Sequence, residues 1–383
     1  MPEYDGSSGV PPDADTRNWV LERIRTLVRA ESPSTDKAAV DRCGALLEGM
    51  LREQGALISR LPQIDRGDHL RAEFTGGPKT VMLLGHFDTV WDVDQIDRMP
   101  LREQDGRLYG PGVFDMKASI AVALGAVRRL RQTASSSSPR IVMLWTTDEE
   151  IGSATSRGYI EASARESDAV LVLEPSLPGG AAKTRRKGCG EFELTFHGVS
   201  AHAGIDPGKG VSAIHELAHQ IVALEQLRSL GPGVSVNVGV VAGGTRGNVV
   251  AEEARATVDV RVQTMADAAR VEEAIHALRP VNPGVRIEVR GGVGRPPLER
   301  TDAVARLYHQ AKQVAAELGV DLDEGGTGGG SDGNFTAALG VPTLDGLGPQ
   351  GDGAHALHEH VVIDDLEWRV GFLAALMLRI NAR

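Results

Sequence analysis

At 383 residues the chain is too long for one small core, and two domains are expected of it. Its 41 % apolar content supplies a substantial interior, and a formal net charge of −11 argues against a nucleic-acid binder or a membrane-surface protein, which ordinarily show a basic patch. Cys43 and Cys189 are the only cysteines, too few for a disulfide framework or a thiolate metal site, and both read as small core residues.

The opening stretch MPEYDGSSGVPPDADT is acidic, rich in Pro and Gly, and lacks the apolar segment of a secretory signal; a short disordered arm on a cytoplasmic protein is expected. No segment has the apolar length of a transmembrane helix. Trp19, Val20, Ile24, Leu27 and Val28 recur at helical spacing over 16–30, and a second helix fits 37–54, where Gln-Gly ends it. TVMLLGHFDTV (80–90) reads as a buried strand whose end carries His86 and Asp88. A helix over 117–133, the loop ASSSSPR, the strand IVMLWTT and the strand DAVLVLEPS (168–176) follow. Alternating strands and helices predict an α/β fold, a mainly parallel sheet flanked by helices.

From about 183 the pattern changes. GEFELTFHGV (190–199) alternates apolar and polar residues, as a half-exposed antiparallel strand does, and 210–227 is helical. GVSVNVGVVAGG and EARATVDVRVQT alternate again, 265–279 is helical, and GVRIEVRGG is a last strand. This βαββαβ order predicts an α+β domain, a small sheet with two helices on one face, inserted over 187–296 into a larger domain formed by 1–186 and 297–383. The larger pattern resumes with helices near 301–318 and 364–381.

The polar residues expected at strand ends of the larger domain are His86, Asp88, Asp115 (YGPGVFDMK), Glu149 and Glu150 (TDEEIGS), Glu174 (LEPS) and the His-rich stretch GAHALHEHV. Sites in open α/β sheets form at the carboxyl ends of strands, so these residues are placed to converge. Histidines and carboxylates without cysteine suit zinc, manganese or cobalt. They are numerous enough for a pair of metal ions, a common hydrolytic device in which one carboxylate bridges. Taken singly each element is weak: DEE is usually a solvated turn, and GTGGGSDG (326–333) lacks the Lys-Ser/Thr ending of a phosphate loop and reads as a tight loop at the site mouth. Strand alternation is expected to turn Glu149 and Glu150 to opposite sides, leaving Asp148 as a turn or capping acid.

In order along the chain, GHFDTVW, LYGPGVFDMKAS, TDEEIGSATSR, LEPS, GVSAHAG, VDVRV and GGGSDG resemble the signature blocks of the two-zinc metallopeptidases. That family includes glutamate carboxypeptidases, aminoacylases, acetylornithine deacetylase and succinyl-diaminopimelate desuccinylase. The resemblance covers nearly the whole chain, the inserted domain matching the family's lid or dimerisation domain. It implies two Zn(II) ions, with Co(II) or Mn(II) as substitutes. His86 and Glu174 would bind the first, Glu150 and a C-terminal histidine the second, and Asp115 both. Among His355, His358 and His360, His355 is chosen because Glu359 follows it at the family's spacing. Asp88 would accept a hydrogen bond from the other His86 nitrogen and fix its tautomer. The resemblance also implies a cis peptide at Asp115-Met116, Glu149 as general base toward a water between the metals, and His202 as an oxyanion-stabilising lid residue reaching the partner subunit's site, hence a homodimer. Asn248, Arg261 and Arg295 match positions that hold substrate carboxylates in the glutamate carboxypeptidase branch, a use that suits the Arg fork. Ala251 stands where relatives usually have Pro, a departure beside Asn248, and Arg261 has the alternative of simply pairing with an acid on its own sheet.

The expected activity is therefore amide hydrolysis releasing a C-terminal amino acid, glutamate first, from a small or short-peptide substrate with a free carboxylate. N-acyl-amino-acid deacylase or desuccinylase is the alternative within the class. A non-catalytic binding protein on the same fold would have lost a ligand or the base, and a dinucleotide-binding oxidoreductase would need the GxGxxG turn that is absent after the first strand.

Overall fold

The computed structural model describes residues 14–132 and 138–382; most of the expected N-terminal arm and of the serine-rich loop lies outside the described residues, and the last three residues of that arm already belong to the helix Ala14–Arg29. The chain forms two compact units. One holds the chain up to Arg185, Arg300–Gly326 and the chain from Ser331; the other holds Arg186–Glu299 with Thr327–Gly330.

The first unit is built on a six-stranded sheet in the order Leu57–Leu61, His69–Phe74, Pro139–Thr146, Gly77–His86, Ala169–Val172, Thr343–Leu344. The strands from Pro139–Thr146 to the Thr343–Leu344 edge run parallel, and the first two join antiparallel. These two have no counterpart in the sequence reading. Leu57–Leu61 is largely solvent-facing and lacks the apolar run that announces a central strand. Where such runs exist they are buried throughout, as in Val81–Leu84 and Ile141–Trp145. The helix Ala118–Gln132 is buried on nearly every side from Ala118 to Val127, so it lies inside a layer rather than on a surface. It packs beside the final helix, Ile363–Asn381.

The second unit is a four-stranded antiparallel sheet in the order Ser235–Gly243, Glu253–Val262, Gly188–His197, Arg286–Arg295. Strict alternation of buried and outward residues in Gly188–His197 and Glu253–Val262 leaves one face for a core. The helices Ala213–Gln226 and Met265–His276 fill that core with Phe192, Phe196, Val258, Val260, Leu217 and Val271. Each helix begins at a hydroxyl cap: Ser212 accepts from His215 N–H and Thr264 from Asp267 N–H. Fold class thus follows the sequence reading, a parallel-rich α/β unit and a separate antiparallel α+β unit.

Candidate metal centre

Parallel pairing brings the polar strand ends together. His86 lies level with Thr146, and Leu84 with Val172, so the residues just past each strand leave the sheet at the same carboxyl edge. Gly85 permits this at close quarters: a Cβ there would sit 2.6 Å from Met116 Cε and 2.8 Å from the Trp145 ring. Thr146 leads through Thr147 and Asp148 into a single 3₁₀ turn, Glu149–Ile151. The strand alternation expected of the two glutamates from the sequence is therefore not what separates them, because the strand ends at Thr146. Successive residues of a 3₁₀ turn point about 120° apart, and that separation still sends them to different neighbours.

Glu149 groups with His86 and Glu174, and Glu150 with His86 and Asp115; within each group the ligand atoms lie within 4.8 Å of one another. Asp115 sits in an irregular turn, Val113–Lys117, entered through Gly112 at a positive φ of 68°, and its peptide to Met116 is cis as expected. Its Oδ1 is 3.2 Å from His86 Nε2, and its Oδ2 is 3.5 Å from His355 Nε2. His86 Nε2 is also 3.5 Å from Glu174 Oε1, and His355 Nε2 is 3.1 Å from Glu150 Oε2. His355 reaches inward from a loop where its own φ is 60° and is half exposed. His358 is exposed, and His360 is turned against the Tyr109 ring 5.0 Å away; neither joins the cluster.

Asp88 is fully buried beside this edge. His86 Nδ1 lies 3.0 Å from its main-chain carbonyl and 3.4 Å from its carboxylate, so the carbonyl is the nearer acceptor for the ring N–H. The carboxylate instead accepts from Ser34 Oγ at 2.7 Å and from Glu150 N–H at 3.4 Å. Asp148 turns the other way: its Oδ2 accepts from Thr155 N–H and Thr155 Oγ, both at 2.7 Å, and from Ser156 N–H at 3.4 Å. Asp332, read from sequence only as part of a glycine loop, accepts from Thr146 Oγ at 3.0 Å and from Ser153 Oγ, bracketing the acidic turn. Ser34 carried no pattern that could have announced its contact, and Asp332 was marked only by its place in the GGGSDG block.

The electrostatics fit a cation. Burial works to lower the His86 pKa, but Asp115, Asp88 and Glu174 hold it well above its usual value. Asp115 and Glu150 together raise the His355 imidazole to about 10 against partial burial. Burial would raise Asp115, yet His355 and His86 hold it far below the carboxylate range. The carboxylates thus draw both imidazoles toward the positive form, supplying charge that a bound dication would provide directly. Glu150 Oε1 is buried without a hydrogen-bond donor among the described residues, an acceptor available to an ion. Imidazole and carboxylate donors at these separations suit one or two borderline divalent ions.

The pattern of peptidase family M20/M25/M40 matches residues 82–379. This chain belongs to that family. It is 28 % identical over 379 residues to carboxypeptidase G2 of Pseudomonas sp. (strain RS-16), covering 96 % of this chain and 91 % of the relative. Among solved structures, aminopeptidase PepT from Bacillus cereus superposes with a TM-score of 0.80 at 22 % identity, covering 96 % of this chain and 99 % of the other. The Bacillus subtilis YXEP protein, a dinuclear metal-binding peptidase of family M20, superposes with a TM-score of 0.70 at 18 % identity, covering 96 % and 98 %. The M20 chain described here is accordingly a member of a peptidase family, and its hydrolase character rests on that membership.

The remaining sequence candidates lie in the second unit. His202 is exposed, and its Nδ1 accepts from Gly204 N–H at 3.1 Å and Ile205 N–H at 3.2 Å, leaving Nε2 as the N–H end of the ring. Asn248 is adjacent, its carbonyl accepting from Ala203 N–H at 3.0 Å. Arg261 and Arg295 both pair across strands with Cys189, forming one row. Arg261 is already engaged: Asp259 takes Nε at 3.0 Å and Nη2 at 2.8 Å, and Nη1 lies 2.6 Å from Cys189 Sγ. Arg295 is nearly buried. Cys43 is a core residue, whereas Cys189 is half-buried against an arginine rather than packed in a core. Among the described residues no helix is long and apolar enough to cross a membrane.

Proposed function

We propose that the chain is a di-zinc hydrolase that cleaves an amide bond and releases a C-terminal amino acid, glutamate, from a short peptide or N-acyl conjugate. The observation that carries this reading is Asp115, whose two oxygens face the imidazoles of His86 and His355 in opposite directions. His86 and Glu174 would hold the first ion, Glu150 and His355 the second, and Asp115 both. When bound, two such ions supply Lewis acidity to a carbonyl oxygen and lower the pKa of a water between them. The protein's part is positional and acid–base. Glu149 leaves the same turn as Glu150 but toward the His86 and Glu174 side, where its carboxylate takes a proton from the attacking water and passes it to the leaving amine. The Asp88 carbonyl fixes the His86 tautomer by holding Nδ1–H, which aims Nε2 at the cluster.

For the substrate, Arg295 is assigned the released carboxylate, with Asn248, next to the segment of the lid residue His202, and Arg261 as further contacts. Asp259 and Cys189 occupy much of the Arg261 guanidinium, which supports an orienting role for it more than direct capture. Similarity to carboxypeptidase G2 supports the C-terminal specificity. A homodimer is supported by the edge strand Ser235–Gly243, which exposes Val240 and Val241 with one ladder side unpaired.

The test is metal analysis of the purified protein followed by hydrolysis of N-benzoyl-glutamate against N-acetyl- and N-succinyl-amino acids, with and without added Zn(II). Two ions per chain and metal-restored cleavage of the glutamate conjugate are expected. Turnover of the acetyl or succinyl substrates alone would assign the deacylase reaction instead, and protein that binds no transition metal would end both readings.

A further inference from the structure

We infer that Glu359 is a positioning residue that sets the separation of Asp115 from His355 and so the affinity of the second metal position. The inference rests on the dinuclear reading above. Glu359 follows His355 by four residues and is only 1 % exposed. Its Oε2 accepts from Trp91 Nε1–H at 2.8 Å and Gly112 N–H at 2.9 Å, and its Oε1 from Phe114 N–H at 2.9 Å and Asp115 N–H at 3.1 Å. One carboxylate thus ties together three ligand-bearing segments: the loop after His86, the turn carrying Asp115, and the loop carrying His355.

The reason lies in the turn. Asp115 and Met116 have non-helical backbone angles inside Val113–Lys117, so the N–H groups of Phe114 and Asp115 are not absorbed by a regular helical ladder. Buried N–H groups need acceptors, and Glu359 supplies them from across the sheet edge. Its own backbone is firmly held. Its carbonyl accepts from Gly110 N–H at 3.3 Å, and the following strand His360–Val362 pairs with Arg107–Tyr109. From there to His355 the chain is short and internally bonded, with Ala356 N–H to Gly353 O at 2.8 Å and Glu359 N–H to Ala356 O at 2.9 Å. Displacing the Glu359 carboxylate therefore frees the Asp115 turn to shift against His355, which its bonded loop keeps in place. His86 ends the strand Gly77–His86 and Glu174 stands two residues past Ala169–Val172, so sheet pairing anchors the first position whatever Glu359 does. A general scaffold role would weaken both positions equally; the linkage weakens the second more, because Asp115 serves both positions while the first keeps two sheet-anchored ligands.

Glu359→Gln keeps the shape but places an amide NH₂ against N–H donors, so at least part of the set loses its acceptor. Zn(II) titration of the ion-free protein against a competing chelator should show the first ion the less affected of the two. The second should be bound about 10- to 100-fold more weakly, the usual scale for removing a group that orients a metal ligand. Trp91→Phe, which removes a single donor, should weaken the second ion by less than about tenfold and the first by less than the second. It decides the matter if the Gln variant does not fold. Wild-type affinity at the second position in both variants would overturn the inference, as would equal losses at both positions. A wild-type protein that takes up only one ion strikes at the dinuclear reading itself, before any variant is compared.

Discussion

Glu150 in the first unit and Glu216 in the second are both glutamates withdrawn from water, and they end in opposite electrostatic states. Burial works to raise both carboxyls. At Glu216 the donors of Asn282 N–H, Gln220 Nε2 and Val281 N–H overcome it and hold the group below its usual range. At Glu150 burial prevails over the His355 contact, the Asp115 charge adds to it, and the group is raised. The chain completes a structural acid with its own donors, as it does for Asp267 through Thr264 and Arg270. It leaves Glu150 with an oxygen that no described donor reaches. Whether a buried acid is finished internally separates scaffold from ligand more sharply than burial does.

The largest effect expected on the unfinished side is at Glu149. Glu149→Gln should lower kcat by about 10²- to 10⁴-fold, the contribution of a positioned general base, while both ions remain bound. Glu149 also lies within ligand range of His86 and Glu174, so metal content must be measured beside kcat. Loss of an ion with the activity would make Glu149 a ligand and remove its assignment as base.

Much of this centre was legible before any geometry, because chemistry at strand ends leaves a local mark: an apolar run that stops at His86, and another that stops before Asp148. What was not legible depends on register and long-range pairing. That His86 lies level with Thr146 follows from strand pairing, and no local pattern encodes which neighbours pair. The 3₁₀ turn at Glu149–Ile151 replaced the alternation expected there because the strand ends at Thr146. Glu359 served only as a spacing mark for His355, since donors on residues 91, 112, 114 and 115 cannot be seen from a Glu at 359. The outer hairpin, Leu57–Leu61 with His69–Phe74, was silent because an exposed edge strand needs no apolar run.

The next effect concerns the ion itself. In the ion-free protein at pH 7 His355, raised to about 10, carries a proton, and its carboxylate neighbours draw His86 toward the protonated form. An ion must displace those protons to reach the ring nitrogens, so binding releases protons and affinity rises with pH, by roughly tenfold per pH unit for each proton displaced. Titration calorimetry in buffers of different ionisation enthalpy reads the number directly. Binding without proton release would mean that the cluster is not completed by the ion in the way proposed.

On the finished side the effect should be confined to stability. Glu216→Ala strips the acceptor from Val281 N–H, Asn282 N–H and Gln220 Nε2 and should cost about 3 kcal/mol, read by denaturant unfolding, with metal content unchanged. The pH dependence has a fixed sign. Glu216 titrates lower folded than its ordinary 4.5, so its contribution is complete above about pH 4.5 and is lost as pH falls through the folded value. The Ala variant should lose that acid-side decline. A fall in metal affinity instead would mean that an internally completed acid can also serve the centre, and the distinction would fail.

Asp148 tests the boundary, because it directly precedes Glu149 and Glu150 and has one oxygen of each kind. Oδ2 collects Thr155 N–H, Thr155 Oγ and Ser156 N–H, while Oδ1 is buried without a described donor. In Asp148→Asn the amide oxygen can keep all of Oδ2's donors, and the NH₂ group takes the place of the oxygen that had none. If Asp148 belongs to the scaffold, stability should change by less than about 1 kcal/mol, kcat by less than about tenfold, and both ions should stay. The substitution removes a negative charge and almost nothing else. A loss of activity approaching that of Glu149→Gln, with the fold intact, would therefore have to act through the field at the cluster, and would move Asp148 from the completed acids to the ones the ions complete.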